Sequence, residues 1–204
     1  MAKQAKVWTG SAWADLASAT TDLTPYSTTA QMNTAIAASA GLTLIKTQTI
    51  GTAVSSVTVT DAFNTNYDNY KIILGSDVSV SSNMSLRLTL GASATGYEQS
   101  IISGGSRSSS LTNSGLGSNQ TYWTIGTSVG DSTNSTVTFN LDVYAPFTTK
   151  RTMFSGWNAA FAGADAQQLV GGLHLTSASY SAFTLTASTG TFTGGVIRVY
   201  GYQK

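Results

Sequence analysis

The chain has one histidine, His174, in the run Leu173-His174-Leu175-Thr176. A histidine acts as a general base in nucleophilic catalysis only where a nucleophile and an orienting carboxylate converge on it. Its neighbours here are apolar, so the spacing predicts a structural or surface histidine on a strand. The carboxylates are Asp15, Asp22, Asp61, Asp68, Asp77, Glu98, Asp131, Asp142 and Asp165. Glycoside hydrolysis needs two of them facing each other across a sugar. None is paired within a motif, although distant carboxylates can still converge in a fold. A polysaccharide-degrading enzyme is therefore the weakest of the readings weighed, and no catalytic residue is assigned. Asp61-Ala62-Phe63-Asn64-Thr65-Asn66-Tyr67-Asp68 is rich in oxygen ligands but lacks the glycine and closing glutamate of an EF-hand loop. Asn and Asp are also ordinary turn residues, and a turn is expected. With no cysteine, thiolate metal sites, thiol catalysis and disulfide scaffolds are excluded. Nucleophile elbows, P-loops and dinucleotide fingerprints are absent. No cofactor and no metal are expected.

The aromatic residues offer more. Tyr97, Tyr122, Trp123, Trp157 and Tyr180 lie near the ends of strand candidates or in loops. Sugar-binding proteins stack the apolar faces of sugars on such rings and read hydroxyls with Asn, Asp and Ser. The alternative is core or interface packing, where aromatics bury large areas. Both readings stay open from the sequence.

The elements that would position these residues are mostly strands. The chain has 204 residues, of which 41% are hydrophobic, enough for one sandwich and an appendage. Only 9% are charged, against about 25% in an average globular protein. With 28 Ser and 32 Thr, solubility comes from hydroxyls and backbone amides. The net charge of +1 is scattered singly, which argues against a nucleic-acid footprint or a polybasic membrane segment. The β-branched and aromatic content argues against disorder. The opening residues lack the apolar core of a signal peptide, and no apolar run approaches a membrane span. The expectation is synthesis in a cytoplasm, with exit by lysis or as part of a particle.

Residues 1–26 read as an irregular opening. Thr9-Gly10-Ser11 between Trp8 and Trp13 predicts a small hairpin, and Thr24-Pro25 closes the segment. Residues 27–40 predict the one helix, capped by Ser27 or Thr28 and stopped by Gly41. Thr29, Met32, Ile36 and Ser39 recur at a 3-4-3 spacing, as in one seam of a coiled coil. That spacing marks Met32 and Ile36 as candidate contacts between chains. From Leu42 the period becomes two. Met84 to Leu90, Val137 to Val143, Phe183 to Ala187 and Val196 to Tyr200 alternate cleanly. Further strand candidates are Leu42 to Ile50, Val54 to Thr60, Tyr70 to Leu74, Tyr122 to Gly126, Arg151 to Trp157 and Gln168 to Thr176. Nine or ten short strands with one buried face each predict a mainly β protein, an antiparallel β-sandwich of jelly-roll type. Ser103 to Asn119, with four glycines and one charge, reads as the longest loop.

Several patches together carry a resemblance. Val7-Trp8-Thr9-Gly10-Ser11-Ala12-Trp13 resembles the opening of many tailed-bacteriophage fibre and virion structural proteins. Tyr26-Ser27-Thr28-Thr29-Ala30-Gln31-Met32 resembles their short connectors. Leu44-Ile45-Lys46-Thr47-Gln48-Thr49-Ile50-Gly51, followed by Tyr67-Asp68-Asn69-Tyr70-Lys71-Ile72, is similar to the start of their C-terminal β-domains. Gly194-Gly195-Val196-Ile197-Arg198-Val199-Tyr200-Gly201-Tyr202 resembles the last strand of such domains.

The resemblance implies a homotrimeric, non-enzymatic structural protein on the surface of a phage particle. Residues 1–26, with Trp8 and Trp13, would anchor it to another virion protein of the tail or the capsid. Residues 27–41 would form a three-chain stem, and residues 42–204 the outward head, which would adhere to a host-surface glycan. No nucleic acid and no membrane insertion enter this reading. The near absence of a shaft brings in an alternative, a capsid decoration or head-fibre protein without strong receptor binding. A free secreted lectin is a further alternative.

Overall fold

A computed structural model describes residues 6–15, 28–39, 41–105, 112–130, 135–160 and 166–204. The chain divides into two compact units, Met1–Ala40 and Gly41–Lys204.

In the first unit, β1 (Lys6–Trp8) pairs antiparallel with β2 (Trp13–Asp15), and Trp8 stands directly across from Trp13. The Thr9 N–H donates to the Ala12 carbonyl at 2.9 Å, and Gly10 supplies the left-handed φ of +96° that the turn requires. Helix α1 (Thr29–Ser39) follows. Its start is a reciprocal cap: the Thr28 N–H donates to Gln31 Oε1 at 2.7 Å, and the Gln31 N–H donates to Thr28 Oγ1 at 3.2 Å. Met32 is exposed on this helix. The side chain of Ile36 lies outside the described residues.

The second unit is a sandwich of two antiparallel sheets. In chain order its strands are β3 (Leu42–Thr49), β4 (Ser56–Val59), β5 (Asn69–Val80), β6 (Met84–Leu90), β7 (Tyr97–Gly105), β8 (Thr112–Gln120) and β9 (Trp123–Val129). Then come β10 (Ser135–Tyr144), β11 (Met153–Ala160), β12 (Ala166–His174), β13 (Phe183–Ala187), β14 (Phe192–Thr193) and β15 (Val196–Tyr202). Among the described residues the larger sheet runs β3-β15-β5-β10-β11-β12-β7-β8, with β14 also on β5, and the smaller runs β4-β13-β6-β9. The chain alternates between sheets from β3 to β6 and pairs back in reverse order: β6 with β9, β5 with β10, β4 with β13, β3 with β15. These eight strands make a jelly roll. Two hairpins are inserted into it, β7–β8 before β9 and β11–β12 after β10. They join each other through β12 and β7 and extend the larger sheet as a wing.

The core lies between the sheets. The alternation in β6 buries Met84, Leu86, Leu88 and Leu90 and turns Ser85, Arg87 and Thr89 outward. Tyr70, Ile72 and Leu74 meet them from β5, Phe139 and Leu141 from β10, Phe183 and Leu185 from β13.

Strand β9 is the last strand of its sheet, so its far backbone groups need partners other than a strand. Side-chain amides of the wing supply them. Gln99 Oε1 accepts from the Thr124 N–H. Asn158 Nδ2 donates to the Ile125 carbonyl at 2.7 Å. Gln168 Oε1 accepts from the Thr127 N–H at 2.8 Å, and its Nε2 donates to the Thr127 carbonyl at 2.9 Å and to Thr127 Oγ1 at 2.8 Å. Three amides thus bind the inner face of the wing to the edge of the smaller sheet.

One expectation is corrected. Most of Ser103 to Asn119 is not loop but the end of β7 and the body of β8, paired from Ser103↔Thr112 to Ser100↔Leu116 and Gln99↔Gly117. Gly, Ser and Asn are poor strand formers, but β12 fixes β7, and β7 then templates its neighbour through backbone bonds that ignore side-chain type. Residues 106–111 lie outside the described residues.

Candidate binding face

The five aromatic candidates part company in the fold. Tyr97 and Trp123 are wholly buried and Tyr180 nearly so, which corrects the expectation that they bind a ligand. They surround His174: its ring centroid lies 4.4 Å from that of Tyr97, 5.4 Å from Tyr180 and 6.3 Å from Trp123. Each polar tip is used internally. The Tyr97 hydroxyl accepts from the Leu90 N–H at 2.8 Å and donates to the Ser93 carbonyl at 3.1 Å. Burial holds that phenol above its ordinary pKa, against the lowering effect of the Leu90 N–H and of the Ser93 side chain. The Trp123 indole donates to the Leu173 carbonyl at 3.2 Å. Tyr122 is half-buried beneath the Arg87 guanidinium, 4.2 Å from its ring centroid. Trp157 is 44% exposed.

His174 is fully buried on β12. Its Nε2 lies 2.8 Å from Ser93 Oγ. Its Nδ1 lies 3.3 Å from the Thr176 carbonyl, which can only accept, and 3.3 Å from the Tyr180 hydroxyl. Two tautomers fit these contacts: Nδ1–H toward the Thr176 carbonyl with Nε2 accepting from Ser93, or Nε2–H toward Ser93 with Nδ1 accepting from Tyr180. Among the described residues no carboxylate orients the ring, so the pair lacks the third member of a triad. The acids of the 61–68 turn diverge: Asp61 approaches Lys46 at 3.8 Å and Asp68 pairs with Lys204 at 3.0 Å. Asn64 Oδ1 is taken by the Asn66 N–H at 2.9 Å, as in an Asx turn. Among the described residues no three of His, Asp and Glu gather around a common point.

Trp157 belongs to a face that the sequence reading did not assemble. Cross-strand partners on the outside of the wing form rows. Trp157 stands across from Leu169, and Leu169 across from Ile102; Ser155 from Gly171, and Gly171 from Ser100; Met153 from Leu173, and Leu173 from Glu98. Leu169 is 63% exposed, Met153 52% and Ile102 43%. Between the apolar rows the Ser155-Gly171-Ser100 row is low. It adjoins a depression of about 600 Å³ bordered by Met153, Leu173, Glu98 and Ser118. The Glu98 carboxylate accepts from Ser118 Oγ at 3.1 Å. The signal missed in the sequence is an inversion: the amides Asn158 and Gln168 point inward to serve β9, which turns Trp157 and Leu169 outward.

The same face continues toward β3. Lys71 and Asp142 form an ion pair of 2.8 Å, and Lys71 also donates to Asn140 Oδ1 at 2.9 Å. Burial pulls the Lys71 ammonium down, but Asp142 and Tyr202 together more than offset this, so it titrates above its ordinary value. The Tyr202 phenol, which donates to Asp142, is also raised, by burial first and by that bond second. At the far edge Leu42 and Leu44 are exposed.

Trp8 and Trp13 are both exposed on the N-terminal hairpin. Their ring centroids are 5.4 Å apart, with the planes tilted by 58°.

Residues 12–181 match the family model described as Legionella pneumophila major outer membrane protein precursor. The chain belongs to this family. No curated protein and no solved structure matches it. The span shared with the Legionella outer membrane protein family enters in the hairpin turn, at Ala12, and ends at Ser181. It stops short of β13 and β15, each of which runs between two other strands of its sheet.

Proposed function

We propose that the chain is a non-catalytic structural protein displayed on the outside of a bacteriophage particle, a short homotrimeric fibre with a β-sandwich head that adheres to a host-surface glycan. One observation carries this reading. Every described side chain in the N-terminal unit is exposed, including the paired rings of Trp8 and Trp13. The second unit, in contrast, closes a full core of its own. A hairpin that exposes two tryptophans gains by docking into something larger, since aromatics with a polar edge dominate such contacts. A self-sufficient sandwich linked to such a hairpin has the layout of an anchored head. A capsid decoration protein without strong receptor binding shares this layout.

The family match favours a second reading, in which the larger assembly is a bacterial outer membrane and the sandwich sits at its surface. Its core is filled by side chains from both sheets, so this reading requires attachment rather than passage through the sandwich.

Immunogold labelling of particles and of producing cells separates the readings. Label on tails supports the fibre and label on shells the decoration protein; label confined to the cell envelope refutes both and leaves the second reading. Trp8→Ala with Trp13→Ala should abolish copurification with the labelled assembly. Copurification at wild-type level would remove the anchor. Absence of binding to host cells or their envelope polysaccharide would remove adhesion.

A further inference from the structure

Among the described residues of the second unit, six large apolar side chains are exposed: Leu42, Leu44, Ile102, Met153, Trp157 and Leu169. All six fall on the outer face of the larger sheet. Leu44 stands across from Tyr200 and Tyr200 from Lys71. Lys71 stands across from Asp142, and Asp142 from Ser155 in the wing. The opposite side of the sandwich presents hydroxyls, with Thr58 and Thr184 bonded to each other at 2.9 Å. On the described outer face, Trp157, Leu169 and Ile102 form one exposed apolar row with Met153 nearby, and the Lys71–Asp142 pair lies between them and Leu42 and Leu44. Contiguous exposed apolar surface beyond a few hundred Å² marks a contact site.

We propose that this face is an interface between copies of this chain. The size fits. From β3 to β7 there are six strand spacings of about 4.8 Å, and three side-chain rows about 7 Å apart, so the band projects to roughly 30 by 20 Å. That approaches the about 800 Å² per partner of a standard protein interface. The charge also fits. Lys71 and Arg198 are matched on this face by Asp142 and Glu98, and the central pair is already joined. A self-contact tolerates such a neutral face, whereas an anionic lipid surface would be held by uncompensated cations. The surroundings of Trp157 also speak against a sugar platform. Leu169 and Ile102 extend its row on one side, and Asn140 on the other is occupied by Lys71. A dry aliphatic row of this kind packs against protein. The wing makes the interface possible: its hairpins carry four of the six residues, and the amides beneath them hold it to the sandwich. The proposal rests on the fibre reading only for the expectation that the chain self-associates, and it is the same whichever assembly carries the chain.

The methionines test it in the full-length protein. Met153 reports on the face, Met32 on the helix, and Met84, 2% exposed, is the internal control. Light scattering should give a multiple of 21.2 kDa. Peroxide oxidation, followed by mass spectrometry, should modify Met153 several-fold more slowly in the wild type than in Leu169→Lys, with Met84 unchanged in both. Leu169 is exposed within one chain, so the variant should keep its β fold, read by far-UV circular dichroism, while losing any extra stability that association gives the wild type. Thr184→Lys, on the hydroxyl face, should leave Met153 protected. Equal Met153 oxidation in wild type and Leu169→Lys overturns the proposal, even if Met32 is protected and the chains are joined at the helix. A monomer whose Met153 is protected only by added envelope polysaccharide, or only by phosphatidylglycerol vesicles, also overturns it and identifies the true occupant.

Discussion

Gln168→Leu isolates the contribution of the amide bonding between the wing and β9. The side chain is 3% exposed, and leucine replaces it with similar volume, so the change removes polar partners rather than packing. The Thr127 N–H and carbonyl both lose their bonds, as do Thr127 Oγ1 and Ser103 Oγ. Asn158 Nδ2 keeps the Ile125 carbonyl but loses Gln168 Oε1. A stranded buried group costs about 1–3 kcal/mol. The two backbone groups therefore set the scale, and leucine burial returns part of it, leaving a net loss of about 2–4 kcal/mol. For a domain of this size that lowers the melting midpoint by roughly 4–16 °C. Urea unfolding should show a lower midpoint at unchanged slope. Gln167→Leu, the exposed neighbour, should change stability by no more than about 0.5 kcal/mol. A Gln168→Leu protein that melts within about 1 °C of the wild type would show that these amides do not hold the wing.

The remaining predictions concern glycine, alkaline pH and the helix. A Cβ at Gly156 would lie 2.2 Å from the Asn140 carbonyl oxygen, whereas one at Gly171 meets only the Phe154 carbonyl at 3.6 Å. Gly156→Ala should therefore cost about 1–3 kcal/mol or more in chemical unfolding and Gly171→Ala little; equal effects would contradict the packing. Tyr70, Tyr97 and Tyr202, and Lys71, all titrate above their ordinary values of 10.0 and 10.5. The fold binds these protons more tightly than the unfolded chain. Their contribution is complete below about pH 10 and is lost as pH rises through the raised values. Thermal midpoints should fall above about pH 10; a rise there would refute the assignment. On the fibre reading, with Met32 and Ile36 as contacts between chains, Ile36→Asp should reduce the solution mass; an unchanged mass would leave the wing face as the contact between copies.

The pattern of residue types along the chain announced most of the scaffold. In β6 and β13 every second residue is apolar, and both are strands whose apolar set is buried. The Trp8–Trp13 hairpin was equally legible, because it is closed by residues only a few positions apart; the helix cap was narrowed to Ser27 or Thr28, and the reciprocal partner Gln31 came from the fold. The wing was not. In β8, Gly, Ser and Asn give no strand signal of their own, and pairing with β7 decides their conformation. Nor could spacing separate Trp157 from Trp123. Both lie in strands, and period two tells which residues share a side, not which side is inside. That choice came from packing: β9 lacks a strand on one edge, the wing's amides turn inward to satisfy it, and their apolar neighbours are left facing out. Composition and period-two alternation alone imply a charge-poor antiparallel sandwich with a small N-terminal appendage. That the sandwich's described exposed apolar residues lie on its larger sheet follows from packing, because it depends on which backbone groups the fold leaves unpaired.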